Sequence, residues 1–154
     1  MKLRTFRFIV LLLVVSFSLA KGQSLKSEHL YSSFGNSLSK LRAVEVLSDY
    51  EPVGWTGKNE FYQLSKDILG SGTEQDFKRM LHDRNPVVRA MGLLCLAQTD
   101  SDKHFLTLLS HTKNKEEVSL AHGCVVRRIT VGEFAKWLLY SPYFLEPEGK
   151  KPSM

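Results

Sequence analysis

Residues 73–97 read TEQDFKRMLHDRNPVVRAMGLLCLA, and this stretch decides how the rest of the chain is read. Thr73 places a hydroxyl at a helix N-cap, and Asp76 puts a carboxylate three residues on. Together they can satisfy the free amides of a first turn. Phe77, Met80 and Leu81 supply one apolar face, and Asp83-Arg84-Asn85-Pro86 then breaks the pattern as a tight turn. Asn85 is a good cap, and Pro86 at the first helical position loses only a donor that would be unpaired there anyway. Val87 to Ala97 is apolar nearly all round, interrupted by Arg89 and Gly92. A helix of that kind must be covered on most sides, which places it at the centre of a multi-helix stack.

Working outward, helical spacing and capping signals recur. Leu30, Tyr31 and Phe34 share a face of a segment from Ser24 that Gly35 ends. A second helix from Asn36 or Ser37 to about Ser48 carries Leu38, Leu41, Val44 and Leu47. Asp49 to Gly57 is a connector rich in Pro and Gly. Lys58 to Leu69 reads as a helix with Phe61, Leu64 and Ile68 inward, stopped by Gly70-Ser71-Gly72. Beyond Ala97, Asp100 or Ser101 caps a segment through Ser110, and Glu116 to Val126 reads as a helix carrying Val118, Ala121 and Val125. Thr130 and Glu133 form a second capping box before a last helix with Phe134, Trp137 and Leu138. Cys124 to Val131 is the ambiguous stretch, because its β-branched residues suit a short strand. The reading predicts an all-α domain over residues 24–145, with about seven to eight helices, and a disordered tail over 146–154.

Lys2, Arg4 and Arg7 precede an unbroken apolar run from Phe8 to Val15. Small residues then alternate at Ser18, Ala20 and Gly22. These are the parts of a secretory signal peptide, so residues 1–20 are expected to be removed after Ala20 or Gly22. The run is shorter than the roughly 20 residues a membrane span needs. The first cysteine is Cys95, so no lipid attachment point follows the run. The chain carries 21 Lys and Arg against 16 Asp and Glu, a net charge of +5. Residues 1–20 hold three of those bases and no acids, so the mature chain is close to neutral. Without a clustered basic face, nucleic acid is not an expected partner. Two cysteines are too few for a disulfide framework.

Leu81-x-Asp83-x-Asn85-Pro86-x-Val88-Arg89-Ala90, followed by Leu93, Leu94 and Leu96, resembles the HEAT-repeat pattern and is similar to the HEAT-like repeats of phycobilisome lyases. The resemblance covers residues 73–97. A fainter echo at a shift of 31 pairs Val87 with Val118, Ala90 with Ala121 and Gly92 with Gly123, without the Pro or the Arg. It implies a short α-solenoid of antiparallel hairpins that binds macromolecules along its second helices. It also implies structural roles for Asp83, Asn85, Pro86 and Arg89, with Asp83 in the turn and Arg89 reaching towards a neighbouring repeat.

Catalytic and metal signals are thin. His29, His82, His104, His111 and His122 show no two-histidine helical spacing, and no cysteine pair is close. His104 and His111 read as a solvated polar edge. Gly70-Ser71-Gly72-Thr73 lacks the strand and the Lys of a nucleotide loop, and no nucleophile elbow is present. No catalytic residue, cofactor or metal is therefore assigned. Trp55, Trp137 and Tyr143 are the aromatic candidates for partner contact, with Tyr140 and Phe144 beside the last two. Arg127-Arg128 reads as a solvated helix end. The functional expectation is an exported, periplasmic or secreted, non-enzymatic protein-interaction module with a protein partner. The alternatives are a small hydrolase-like enzyme with a site scattered in sequence, and an accessory protein anchored by residues 8–19.

Overall fold

A computed structural model describes residues 32–48, 59–122 and 125–140. In chain order these form α1 (residues 32–41), β1 (Val46–Ser48), α2 (Glu60–Ser71), α3 (Glu74–Met80), α4 (Pro86–Asp100), α5 (Phe105–His111), β2 (Glu117–His122), β3 (Val125–Thr130) and α6 (Val131–Tyr140).

The α3–α4 hairpin forms as its local signals dictate. Thr73 Oγ1 accepts from Asp76 N while Asp76 Oδ2 accepts from Thr73 N at 3.0 Å, and Asn85 Oδ1 accepts from Val87 N at 2.8 Å. Every residue from Val87 to Ala97 is buried. α4 is thus the central post of the domain, packed by α2, α3, α5, α6 and β2. Gly92 is where α3 crosses closest: a Cβ there would stand 2.9 Å from Met80 Cβ and 3.0 Å from Phe77 O.

The domain is not all-α, and it is not a solenoid of helical hairpins. Among the described residues there are six helices and a three-stranded mixed sheet of order β1-β2-β3, with β1 parallel to β2 and β2 antiparallel to β3. The stretch expected as a helix over 116–126 instead holds β2 and the start of β3. The pairing runs from Glu117↔Thr130 through Val118↔Ile129 to His122↔Val125. The reason is a period of two: Val118 and Leu120 are buried with Ile129 on one face, while Glu117 lies in solvent. A helical reading had to leave Leu120 off its face. The 31-residue echo therefore superposes a helix on a strand and carries no structural repeat.

Two boundaries near the start also move. α1 runs through Gly35, where nothing lies within 4 Å of an added Cβ, and ends at residue 41 instead of near Ser48. Val46–Ser48, expected as its last turn, is β1, with Leu47 fully buried opposite Leu120. α4 continues to Asp100, so α5 opens at His104 and not at the expected cap. The second capping box forms as read: Thr130 N donates to Glu133 Oε2 at 2.7 Å and Glu133 N to Thr130 Oγ1 at 3.0 Å. The stretches expected as a signal peptide (1–20), a connector (Asp49–Gly57) and a tail (146–154) lie outside the described residues.

Candidate interaction site

β3 has one partnered edge. Its six residues pair with β2, and no strand among the described residues lines its other side. Along the strand the first four residues are exposed on both faces: Val125 is 63% and Val126 56% exposed, and Arg127 and Arg128 are exposed with them. Ile129 is buried, Thr130 half-buried, and the capping box then fixes the turn into α6. The strand is thus anchored at its C-terminal end and is exposed over Val125–Arg128.

Two β-branched residues in this setting are informative. They favour extended backbone, but exposed apolar side chains on an open edge invite pairing with other chains. The two arginines that follow limit that tendency. Alternation sends Val125 and Arg127 to the face shared with Ile129, and Val126 and Arg128 to the other. Arg127 lies over the ring of Trp137 on α6, 4.4 Å from its centroid, so that guanidinium is positioned by a cation–π contact. Arg128 NH1 is 3.7 Å from Glu117 Oε2, with both side chains mostly in solvent, a pair worth little by itself. Hydrogen bonds from the Thr130 backbone and hydroxyl hold the Glu133 carboxyl below its ordinary range, and Lys136 and Arg127 add to this. Around the strand, Arg127, Arg128 and Lys136 thus stand beside the carboxylates of Glu117 and Glu133.

Of the aromatic candidates, Trp137 is half-buried and borders this edge, while Trp55 and Tyr143 lie outside the described residues. Arg127 and Arg128 belong to a strand, which corrects their assignment to a helix end. A second exposed apolar group, Phe105, Leu106 and Leu109, lies along α5, which packs on α6; Tyr140 is exposed at the end of α6.

The turn motif forms a structural node. Asp83 Oδ2 accepts from Arg42 NH2 at 2.7 Å and Oδ1 from Asn85 N at 2.9 Å, while its carbonyl accepts from Arg89 NH1 at 2.5 Å. Asn85 Nδ2 donates to the Arg42 carbonyl at 3.0 Å, and Arg89 is ion-paired with Glu116 just before β2. Partial burial pushes the Asp83 carboxyl up, but the Asn85 amide, Arg42 and Arg89 together hold it below its usual value. The node ties the end of α1, the turn, α4 and the entry to the sheet into one unit. Pro86 holds the first helical position.

Sequence reasoning missed one polar cluster. Glu74 accepts from Lys103 and, at 2.6 Å, from Lys78, and these bonds lower its carboxyl to about 2. His104 is buried, not a solvated edge. Its Nε2 lies 3.8 Å from Glu74 Oε2 without a hydrogen-bond partner. Only its contact across 30 residues to Glu74 reveals the arrangement, and no local spacing carries that signal. No three His, Cys, Asp or Glu side chains converge on a metal position among the described residues. Cys95 is a free thiol whose complete burial pushes its pKa far up, so it is no nucleophile there; Cys124 lies outside the described residues. No helix among the described residues is long and apolar enough to cross a membrane.

The fold and this edge define a small α+β domain with an open basic strand. Compared with known protein families, curated proteins and solved structures, the chain matches none.

Proposed function

We propose that this chain is an exported, non-enzymatic protein-interaction module that engages its partner through the open edge of β3 and the Trp137 surface beside it. The observation that carries the reading is the exposure of Val125–Arg128 on both faces of an extended strand that, among the described residues, has a strand partner on one side alone. An edge of that kind presents a row of backbone donors and acceptors in fixed register. Strand addition is an established mode of recognition in which main-chain bonds give affinity and side chains give selectivity. The export half of the proposal rests on the basic head, apolar run and small-residue site of residues 1–22.

Affinity purification from native envelope extract, with the mature chain and its Val126→Lys variant side by side, tests the interaction. A stoichiometric protein retained by the first and lost by the second supports it. Equal retention by two chains of matching circular dichroism removes the β3 edge from the account. Mass spectrometry of the native N-terminus tests export: a start at Lys21 or Gln23 supports it, and an intact Met1 contradicts it.

A further inference from the structure

Resting on the interaction reading above, we propose that the β3 edge takes one extended peptide strand whose sequence places two consecutive acidic residues before two consecutive β-branched ones. The occupant follows from what each position offers. In an antiparallel pair, alternate residues of β3 turn their N–H and C=O to β2, and those between turn theirs outward. The six-residue strand therefore offers its outer side as a template for another backbone.

Selectivity comes from Val125, Val126, Arg127 and Arg128, which present one apolar and one cationic group to each face. Cross-strand neighbours sit roughly 4.5–5.5 Å apart at Cβ, close enough for side-chain pairing. A carboxylate opposite Arg127 and another opposite Arg128 each meet a guanidinium. Because consecutive strand residues point to opposite faces, those two acids must be adjacent in the peptide. Apolar residues opposite Val125 and Val126 cover surface that is now in water. Antiparallel pairing is slightly the more stable direction, so the order from the peptide's N-terminus is acid-acid-apolar-apolar. Arg127 is already held over Trp137, and Glu117 stands near Arg128 only as an exposed partner that a closer carboxylate displaces.

Charge also argues against a second copy of this chain as the occupant. A two-fold antiparallel pairing centred between Val126 and Arg127 sets valines opposite arginines. Centring it one residue on sets Arg127 opposite Arg128. Neither register sets an acid across from an arginine, and the second brings guanidinium groups face to face, which is destabilising.

The test is fluorescence anisotropy of the full chain with a labelled octapeptide, Ser-Thr-Glu-Glu-Val-Val-Thr-Ser. Saturable binding is expected. It should weaken at least tenfold when Lys-Lys replaces Glu-Glu, and at least tenfold on N-methylation of one of the two alternating sets of peptide amides, the set that faces β3, with little effect from the other set. The Arg127→Glu/Arg128→Glu chain should exchange its preference to the Lys-Lys peptide, which shows that the variant is folded and that the pairing is charge-specific. Equal binding of both peptides, insensitivity to both methylation patterns, or no binding at all overturns the proposal. So does a dimer in sedimentation velocity that the double variant disperses. A partner from native envelope that is lost with Val126→Lys but lacks an acidic strand leaves the interaction reading standing and rejects only this peptide chemistry.

Discussion

Gly132→Ala should be one of the most damaging single-methyl additions to this domain. Gly132 is the second residue of α6, and a Cβ on it would lie 2.5 Å from Thr112 O and 2.6 Å from Asn114 O. The loop lies that close because it satisfies the first turn of the helix: Gly132 N donates to Asn114 O at 3.0 Å and Val131 N to Glu116 O at 2.8 Å. Those donors have no partner inside a helix. Accommodating the methyl requires the loop to retreat by roughly 0.7 Å, which stretches two hydrogen bonds worth about 0.5–1.5 kcal/mol each. Residual overpacking adds about 1–3 kcal/mol, and the better helix propensity of Ala returns up to about 1 kcal/mol. The net expectation is a loss of about 2–4 kcal/mol, read as a lower urea midpoint by circular dichroism at unchanged slope. Gly70→Ala is the internal control. It is the same substitution in a helix where nothing lies within 4 Å of the new Cβ, and it should be neutral or stabilise by about 0.5 kcal/mol. Equal midpoints for the two variants would refute the close docking of residues 112–116 on α6, and with it the anchoring of β3.

Asp83→Ala should cost about 1–3 kcal/mol in the same assay, because it strips partners from Arg42 and the Asn85 amide at once. Asn85→Ala should cost about 1 kcal/mol through the lost cap on Val87; wild-type behaviour in both would dissolve the node. Glu74 is held below the ordinary glutamate value of 4.5, at about 2 when folded, so the stability it lends is complete above pH 4.5 and is lost as pH falls through 2. The urea midpoints of wild type and Glu74→Gln should therefore differ at pH 6, converge by pH 2, and differ less in high salt; a gap independent of pH would contradict this. Cys95 should resist a thiol reagent in the native chain and react in urea, since its side chain is buried among α4 neighbours; prompt native labelling would mean that α4 is not the central post.

The parts of this fold that sequence reading recovers are those specified within a few residues. Thr73 with Asp76, Asn85 with Pro86, and Thr130 with Glu133 each state a helix start by chemistry that acts across three positions. Val87–Ala97 announces its burial by composition. The sheet is specified differently. β1 has three residues, and Val44 and Leu47 fit the drifting stripe of a helix equally well. Only pairing with Ser119–Ala121, more than 70 residues away, makes Val46–Ser48 a strand. β2 was open to a helical reading because Val118, Ala121 and Val125 recur near helical spacing. The fully buried Leu120 is what decides against it. The site divides in the same way. Trp137 stands out as a large aromatic on the helix that the Thr130–Glu133 capping box opens. Arg127 and Arg128 acquire meaning only once the strand places them on opposite faces of an open edge, which no periodicity in the sequence encodes.

Amide hydrogen exchange along β3, followed residue by residue by nuclear magnetic resonance, tests the central claim most directly. If Val125–Thr130 is an edge strand with a free side, amides turned to β2 should be protected and those between them should exchange nearly as fast as unstructured chain, giving alternation with a period of two. Uniform protection across Val125–Arg128 would contradict the account, because it would mean that the stretch is helical or that its outer edge is already covered.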